Sequence, residues 1–235
     1  MEVSMLVTCW STKGGSGTTV VAALAGLHAA QDRDRPVLLV DLCGDLPAVF
    51  GRDEASSGLG EWLGSDLAPC SLEQVLEELM PNLSLLPRGR APLSVRRVDE
   101  FLEWATTATV AANAIVIVDA GVLGGATDCS NQCQGSRELR RYLAAGADRS
   151  VLVTRACYLA LRRTVSMPVR PSGVVLVTEA GRALNRSDCE RATGTPVLAT
   201  VAVDPDIARA VDAGMLRTRV PKGAVRVLGR LFEEV

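Results

Sequence analysis

The stretch 11-STKGGSGTTV-20 joins an apolar run, 5-MLVTCW-10, to an Ala- and Leu-rich run, 21-VAALAGLHAA-30. The first run has the length and composition of a buried strand, and the second favours a helix. Three of the residues between them are glycines, namely Gly14, Gly15 and Gly17. Glycine backbone can turn sharply and come close to a ligand. The stretch therefore predicts a glycine-rich turn between a buried strand and a helix N-terminus.

Such a turn can bind an anion, because its converging backbone N–H groups and the partial positive charge of the helix N-terminus both face the ligand. The common phosphate-binding loop ends in Gly-Lys-Ser/Thr, where the lysine contacts the terminal phosphates and the hydroxyl binds Mg²⁺. Gly17 and Thr19 match that ending, but Thr18 stands at the lysine position. Thr19 is thus a candidate Mg²⁺ ligand, and Thr18 cannot supply the positive charge. Lys13, at the front of the loop, is the only lysine in the stretch.

Composition and charge exclude several classes of protein. The chain has 235 residues, of which 48% are hydrophobic and 22% charged, and its formal net charge is −2. These values are typical of a globular protein and do not predict nucleic-acid binding. The seven cysteines have no framework spacing, and the start 1-MEVSM-5 shows no secretory leader. We therefore expect free thiols and a cytoplasmic location. No uncharged apolar run reaches the roughly 18 residues that span a bilayer.

Strand-length apolar runs alternate with helical stretches along the whole chain. We predict strands at Met5–Trp10, Val37–Val40, Leu83–Leu86, Ala114–Val118, Ser150–Thr154, Val174–Thr178 and Val197–Val203. We predict helices at Thr18–Ala30, Ser71–Leu79, Ser94–Thr107, Ser136–Ala145, Pro205–Ala213 and Pro221–Glu234. This alternation predicts an α/β fold: a doubly wound, mostly parallel sheet with helices on both faces. With no internal repeat and no linker, we expect residues 1–235 to form a single domain.

A lysine followed by Gly-Gly-x-Gly resembles the deviant Walker A loop of the ParA/MinD family of P-loop ATPases. Four further runs resemble, in order, the family's second strand with switch I, its apolar strand ending in Pro-x-Gly, its Walker B strand with switch II, and its late strand with the nucleotide-base loop. They are 36-PVLLVDLCGDL-46, 83-LSLLPRG-89, 114-AIVIVDAG-121 and 197-VLATVAVDPDIARAVDAG-214. In order and spacing the resemblance covers nearly the whole chain.

Within that family, the Leu-Cys-Gly-Asp-Leu run and the Pro-x-Gly ending are similar to the TadZ/CpaE branch, which positions pilus-assembly machinery. Members of that branch often carry an extra N-terminal receiver-like domain. This chain starts directly at its first predicted strand, so we expect that domain to be absent.

The resemblance implies ATP and Mg²⁺ as ligands and a homodimer that closes face to face across the phosphate loops. In the family the front lysine, here Lys13, reaches the partner's phosphates. The residues that the resemblance implies for nucleotide binding are Lys13, Gly14, Gly15, Ser16, Gly17, Thr18, Thr19, Asp41, Asp119 and Pro205. Of these, Thr19, Asp41 and Asp119 are the implied Mg²⁺ ligands. The alternative role of Asp41 and Asp119 is a polar cap at a strand end.

Two departures from the family pattern put ATP hydrolysis in question. In the family, an acidic residue two positions beyond the switch I aspartate positions the attacking water. Asp41 matches the first aspartate, but Cys43 stands at the second position. Asp45 and Lys13 are the remaining catalytic candidates. Because one lysine beside several phosphate charges is a large electrostatic contribution, its replacement by Thr18 predicts a degenerate loop with slow or absent turnover. A nucleotide-free pseudo-ATPase scaffold is the alternative.

The arginine clusters and the C-terminal segment are weaker indications of DNA and membrane binding. Arginines cluster at 137-RELRR-141, 162-RR-163 and 217-RTR-219. A DNA-partitioning member of the family would bind DNA through such residues, but the near-neutral net charge favours solvated helix faces. The segment 221-PKGAVRVLGRLFEEV-235 carries an apolar stripe that resembles a membrane-binding helix. Glu233 and Glu234 disfavour anionic lipid, so we expect the stripe to dock on the protein's own core.

Cysteine and histidine add no catalytic site of their own. Cys129 and Cys133 form a C-x-x-x-C pair that we interpret as free thiols, since no second metal-ligating pair accompanies them. His28, the only histidine, lies among alanines in the first predicted helix. From that position it cannot serve as the base of a Ser/His/Asp or Cys/His hydrolase site. The resemblance to the ParA/MinD family implies a spatial organiser, located at a pole, at a septum or on the nucleoid, with a protein partner that the sequence does not identify.

Overall fold

The computed structural model describes residues 5–31, 35–110, 114–124, 131–219 and 221–233. The strands within these ranges are β1 Met5–Ser11, β2 Val37–Asp41, β3 Glu77–Met80, β4 Leu83–Leu86, β5 Ile115–Val122, β6 Arg149–Arg155, β7 Gly173–Thr178 and β8 Val197–Ala202. The α-helices are α1 Thr18–Ala29, α2 Leu46–Val49, α3 Leu59–Gly64, α4 Val98–Val110, α5 Asn131–Ala145, α6 Tyr158–Val165, α7 Arg186–Thr193, α8 Pro205–Asp212, α9 Leu216–Arg219 and α10 Lys222–Arg226. Two 3₁₀ helices occupy Pro69–Val75 and Val227–Leu231.

All eight strands form one sheet in the order β3-β4-β2-β5-β1-β6-β7-β8. Every neighbouring pair is parallel except β3 and β4, which are antiparallel. Because β5 lies between β1 and β2, the carboxyl ends of these three strands meet at one edge of the sheet. In doubly wound sheets, ligands bind at such an edge.

Apolar side chains cover both faces of the sheet, which confirms the predicted fold class. On one face, Val7, Leu39 and Ile117 pack with α1, α8 and the C-terminal helices. On the other, Val40 and Val118 pack with α3 to α7. The central strands are therefore continuously apolar, because alternate side chains enter two different cores.

The predicted helix Ser71–Leu79 is wrong. Its first part is the 3₁₀ helix Pro69–Val75, and Glu77–Met80 forms the edge strand β3 instead. Pairing of β3 with β4 satisfies backbone hydrogen bonds that a helix would have satisfied internally, so tertiary context overrides the local helical pattern. The prediction also missed α6 and α7. The start of α7 could have been predicted, because Asn185 and Asp188 have the spacing of a capping box. In the structure the Asn185 side chain accepts a hydrogen bond from the backbone N–H of Asp188.

The C-terminal segment docks on the protein's own core, as predicted. Val225, Leu228 and Leu231 are buried against α1 and β8. The Phe232 ring stacks on the imidazole of His28, with 5.9 Å between the ring centroids. The segment is not one helix, because α10 passes into the 3₁₀ helix at Val227. None of the described helices is long and apolar enough to cross a membrane.

Candidate functional site

The glycine-rich loop is a tight turn held by its own hydrogen bonds. Gly15 and Gly17 have φ angles of 73° and 89°, in the left-handed region that side-chain-bearing residues avoid. The Ser16 hydroxyl donates to the Lys13 carbonyl at 2.8 Å, and the Ser11 hydroxyl donates to the same oxygen at 3.2 Å. A side chain at Gly14 or Gly15 would meet nothing within 4 Å, so the loop backbone borders open space.

The space beside the loop is an open cavity of about 460 Å³. Its lining combines the loop and the first turn of α1 with the segment after β2, the end of β5 and α5. The described lining residues are Ser11, Gly14–Val20, Cys43, Asp45, Gly121, Val122 and Arg140. The fold thus brings residues from four distant parts of the chain to the edge where parallel strands end.

Asp41 and Asp119 lie side by side below this cavity, because β2 and β5 pair in a register that places them opposite each other. Both carboxyl groups are fully buried. Asp41 Oδ1 accepts hydrogen bonds from the backbone N–H groups of Cys43 and Gly44, both at 2.8 Å. Asp119 Oδ1 accepts one from the N–H of Gly121 at 3.1 Å. The second oxygen of each carboxylate, Oδ2, is buried with no hydrogen-bond partner.

Burial raises the pKa of both acids. Burial is the main cause of the rise of the Asp119 pKa to about 7; a hydrogen bond from the Thr19 side chain opposes that rise, and the charge of Asp41 adds to it. The pKa of Asp41 is raised by burial, against hydrogen bonds from the backbone of Gly44 and Cys43. Two buried carboxylates with unsatisfied oxygens are costly without a cation.

The donor set fits Mg²⁺. Hard divalent cations bind carboxylate and hydroxyl oxygens, and the unsatisfied Oδ2 atoms of Asp41 and Asp119, with the nearby Thr19 side chain, are of that kind. Cys43 Sγ belongs to the same cluster, within 4.8 Å of a carboxylate oxygen of each acid. Burial and the charge of Asp119 raise the pKa of the Cys43 thiol, so it is neutral. The thiol faces the carbonyl of Asp119, with Sγ 3.7 Å from the oxygen.

The structure places the other predicted residues in distinct positions. Thr18 is buried in the first turn of α1, whereas Asp45 is exposed at the N-cap of α2 and lines the cavity. Lys13 is exposed and does not line the cavity. Cys129 and the side chain of Cys133 lie outside the described residues.

A second, apolar cavity of about 270 Å³ adjoins the first and shares Gly17 and Val20 with it. It lies between α1 and α8, with Arg155 at the end of β6 and Val177 on β7 in its lining. Pro205 begins α8 beside this cavity but does not line it; Asp204 and Ile207 do. Pro205 therefore remains a predicted nucleotide-binding residue, next to an apolar cavity.

Sequence reasoning missed Arg140 as a site residue. It lies on α5, where Leu139 and Leu143 pack into the core, and its guanidinium lies against switch I. Arg140 Nη2 donates to the carbonyl of Leu42 at 2.7 Å. The only signal in the sequence was its membership of the arginine cluster 137–141, which we had interpreted as surface charge.

Comparisons with known proteins give the fold. No protein-family model matches the sequence, and no curated protein matches it. The septum site-determining protein MinD from Pyrococcus horikoshii OT3, solved with Mg-ADP, is similar with a TM-score of 0.73 at 20% identity, over 97% of this chain and 95% of that one. A ParA family ATPase from Chlorobium tepidum TLS gives 0.68 at 17% identity over 99% of both chains.

A third similar structure is MinD from Aquifex aeolicus, solved in a MinC:MinD cell division protein complex. It gives a TM-score of 0.72 at 18% identity over 100% of this chain and 97% of that one. The chain therefore has the fold of the ParA/MinD-type P-loop ATPases from end to end.

Proposed function

We propose that the protein is an ATP-binding, dimer-forming spatial organiser of the ParA/MinD type with weak or absent ATP hydrolysis. One observation carries this proposal: the buried and unsatisfied Oδ2 atoms of Asp41 and Asp119 lie under a glycine loop that borders open space. Fully buried acids without partners destabilise a fold, and Mg²⁺ with a nucleotide would satisfy them. We take residues 1–235 as one nucleotide-binding domain.

Each part of the site has a distinct task in this proposal. The N–H groups of the loop and of the first turn of α1 bind phosphate oxygens, and Thr19, Asp41 and Asp119 hold Mg²⁺. Mg²⁺ supplies charge neutralisation at the phosphates. The apolar cavity between α1 and α8 has the character of a site for the base.

Slow turnover follows from the groups that face the cavity. The Cys43 thiol, at the position of the family's water-positioning acid, is neutral and cannot accept a proton from water effectively. Asp45 lines the cavity but is exposed, so it is the remaining candidate for that role. Thr18 brings no charge to the transferring phosphate.

Dimerisation would depend on Lys13. Its side chain is exposed at the front of the loop and does not line its own cavity, which leaves it free to reach the phosphates of a second copy. MinD from Aquifex aeolicus has been solved with MinC, and by analogy we propose a protein partner here. The process would be the positioning of a pilus or secretion machine, a septum or DNA in the cytoplasm.

The test is the solution mass of nucleotide-stripped protein, measured by light scattering after gel filtration with Mg²⁺–ATP, with Mg²⁺–ADP and without nucleotide. We expect a dimer with Mg²⁺–ATP alone, and its loss in Lys13→Ala. Lys222→Ala is the matched control, because Lys222 is exposed on α10, away from the loop. A dimer of unchanged mass without nucleotide would favour the scaffold alternative. A monomer in all three conditions would refute the proposed dimer.

DNA binding is the alternative within the same fold. Among the clustered arginines, Arg140 and Arg217 already donate to backbone carbonyls, of Leu42 and Leu79 respectively. Binding to random duplex DNA that weakens steeply with salt would favour a partition ATPase.

A further inference from the structure

The loop has lost the cation that would meet the terminal phosphates. Thr18 occupies the lysine position and is buried, with 7% of its surface exposed. Its side chain is uncharged, so no movement of it supplies the positive charge. Several phosphate charges in a half-enclosed cavity still need a positive group, since Coulomb interactions are strong away from bulk water. The question is which described residue of the chain supplies it.

Arg140 is the one cationic residue among the described residues that line the loop cavity. It reaches the cavity from α5. Its Nη1 atom lies 4.0 Å from the place where a side chain on Gly121 would begin. The guanidinium therefore stands next to the ends of β2 and β5, above the two buried acids.

The hydrogen bonds of Arg140 leave donors for a ligand. Arg140 Nη2 donates to the Leu42 carbonyl at 2.7 Å, which fixes the side chain against switch I. Its Nε is buried with no hydrogen-bond partner, as is the Nε of Arg141, so Nη1, near Gly121 of the cavity lining, is the group that can meet a ligand. A guanidinium has five N–H donors in a planar fork that matches phosphate oxygens, and a buried donor without a partner is costly.

The other cations near the site are placed differently. Lys13 is exposed and outside the cavity lining. Arg155 lines the apolar cavity between α1 and α8. Arg88 and Arg90 line a third cavity. The acids Asp41, Asp45 and Glu54 line it as well.

We propose that Arg140 takes the place of the missing loop lysine and binds the terminal phosphate of the nucleotide. This inference rests on the proposed nucleotide site. The glycine loop and helix N-terminus bind the inner phosphates through backbone N–H groups, whereas Arg140 lies on the switch side of the cavity. Arg140 therefore discriminates a triphosphate from a diphosphate, and its bond to Leu42 links that discrimination to switch I.

The experiment is calorimetric titration of nucleotide-stripped protein with Mg²⁺–ATP, Mg²⁺–ADP and tripolyphosphate. The variants are Arg140→Gln, which removes the charge, and Arg140→Lys, which keeps it. Arg141→Gln is the matched control, because Arg141 is the next residue on α5 and does not line the cavity. Thermal melts of each variant check that it is folded.

We expect Arg140→Gln to weaken ATP and tripolyphosphate binding about tenfold or more, as for a lost charged hydrogen bond. ADP binding should change less than about threefold on the same basis, since ADP lacks the phosphate that Arg140 contacts. Arg140→Lys should bind ATP between the wild type and Arg140→Gln, and Arg141→Gln should match the wild type.

Two results would overturn the inference alone: ATP binding by Arg140→Gln as tight as that of the wild type, or an equal loss of ATP and ADP. Tripolyphosphate binding that depends on Arg140, without any ATP binding, would support the role of Arg140 and refute the proposed nucleotide function. Failure of the wild type to bind either ATP or tripolyphosphate would overturn both.

Discussion

Asp119 shows how a binding site can lower the stability of the ligand-free protein. Its pKa in the folded chain is about 7, above the ordinary value of 3.8. As pH rises, the unfolded chain therefore ionises first, and the free energy of unfolding falls between those two pH values by about 1.4 kcal/mol per pH unit at most. Above the folded pKa the full penalty is present.

We predict that Asp119→Asn raises the melting temperature of the protein in metal-free, nucleotide-free buffer, because it removes a buried charge. The gain should be larger at pH 8 than at pH 5. Asp53→Asn, at an exposed position, is the control and should show no such pH dependence. Thermal melts at the two pH values measure the effect, and an equal gain at both would contradict the assigned pKa.

Gly121 is required by a close contact as well as by its backbone. Its φ is 58°, and an added Cβ would lie 2.3 Å from Cys43 Sγ. We predict that Gly121→Ala lowers the free energy of unfolding by more than the roughly 1–2 kcal/mol that left-handed backbone costs. Urea unfolding measures the loss. Adding Cys43→Ala should recover the part due to the contact, and a double variant no more stable than Gly121→Ala would show that the contact does not matter.

At the level of single residues, local sequence identified one half of the site and missed the other. The loop glycines lie between the apolar strand β1 and α1, Thr19 lies in the first turn of α1, and Asp41 and Asp119 lie near the ends of the apolar strands β2 and β5. The pattern of the chain therefore predicts their position at the ligand edge. Arg140 lies 98 positions from its hydrogen-bond partner Leu42. No local pattern encodes such a contact, because it depends on how α5 packs on the finished sheet.

Among the elements, α3 is joined to the loop after β4 by one carboxylate as well as by backbone hydrogen bonds from Leu59 to Pro87 and from Gly60 to Arg88. Glu61 on α3 accepts three backbone hydrogen bonds, from Gly58 at 2.8 Å, Arg90 at 2.8 Å and Ala91 at 2.7 Å. An added Cβ on Gly58 would lie 2.2 Å from the Pro87 carbonyl oxygen, so the two backbones are in close contact. Glu61 therefore joins α3 to the loop after β4.

We predict that Glu61→Gln lowers the free energy of unfolding by about 2–4 kcal/mol, because the charge is lost and the amide nitrogen replaces one of the two accepting oxygens, where it faces a backbone N–H group. Glu73→Gln is the control: Glu73 is exposed, and the change should stay within about 0.5 kcal/mol. Chemical unfolding of both variants makes the measurement. Equal stability of Glu61→Gln and wild type would mean that the loop after β4 is held by other contacts.

Docking of the C-terminal helices on the core can also be tested. Val225, Leu228 and Leu231 are buried, the last two at 0% exposure, whereas Val227 is 40% exposed. We predict that the protein does not sediment with anionic phospholipid vesicles, because most of the apolar residues that the structure describes in this segment face the core. Sedimentation that disappears when residues 221–235 are removed would show that the segment leaves the core and binds lipid.

The strands buried on both faces of the sheet were predictable, and so was the edge strand β8, but the edge strand β3 was not. β2 is a continuous apolar run, so its strand character follows from the sequence alone. The run 71-SLEQVLEELM-80 has a helical pattern, yet Glu77–Met80 pairs with β4 at the sheet edge. Only one face of an edge strand needs to be apolar, so its sequence does not distinguish it from an amphipathic helix.

The whole molecule has the ParA/MinD-type fold, and two positions of the proposed site depart from that family's pattern. The sheet order, the buried acids and the glycine loop are those expected for a nucleotide-dependent switch, while Thr18 and the neutral Cys43 thiol predict slow hydrolysis. In the proposed function, nucleotide binding and ATP turnover are therefore separate properties. Binding is the central claim, because both dimerisation and the role of Arg140 depend on it.

The most direct measurement is calorimetric titration of the nucleotide-stripped wild type with ATP, in Mg²⁺ and again in EDTA. The account predicts saturable binding at submillimolar ATP that requires Mg²⁺ and is lost in Thr19→Val, since the Thr19 hydroxyl and the two buried acids would hold the metal. Heat that does not saturate at millimolar Mg²⁺–ATP would contradict the account and leave the fold as a scaffold without nucleotide.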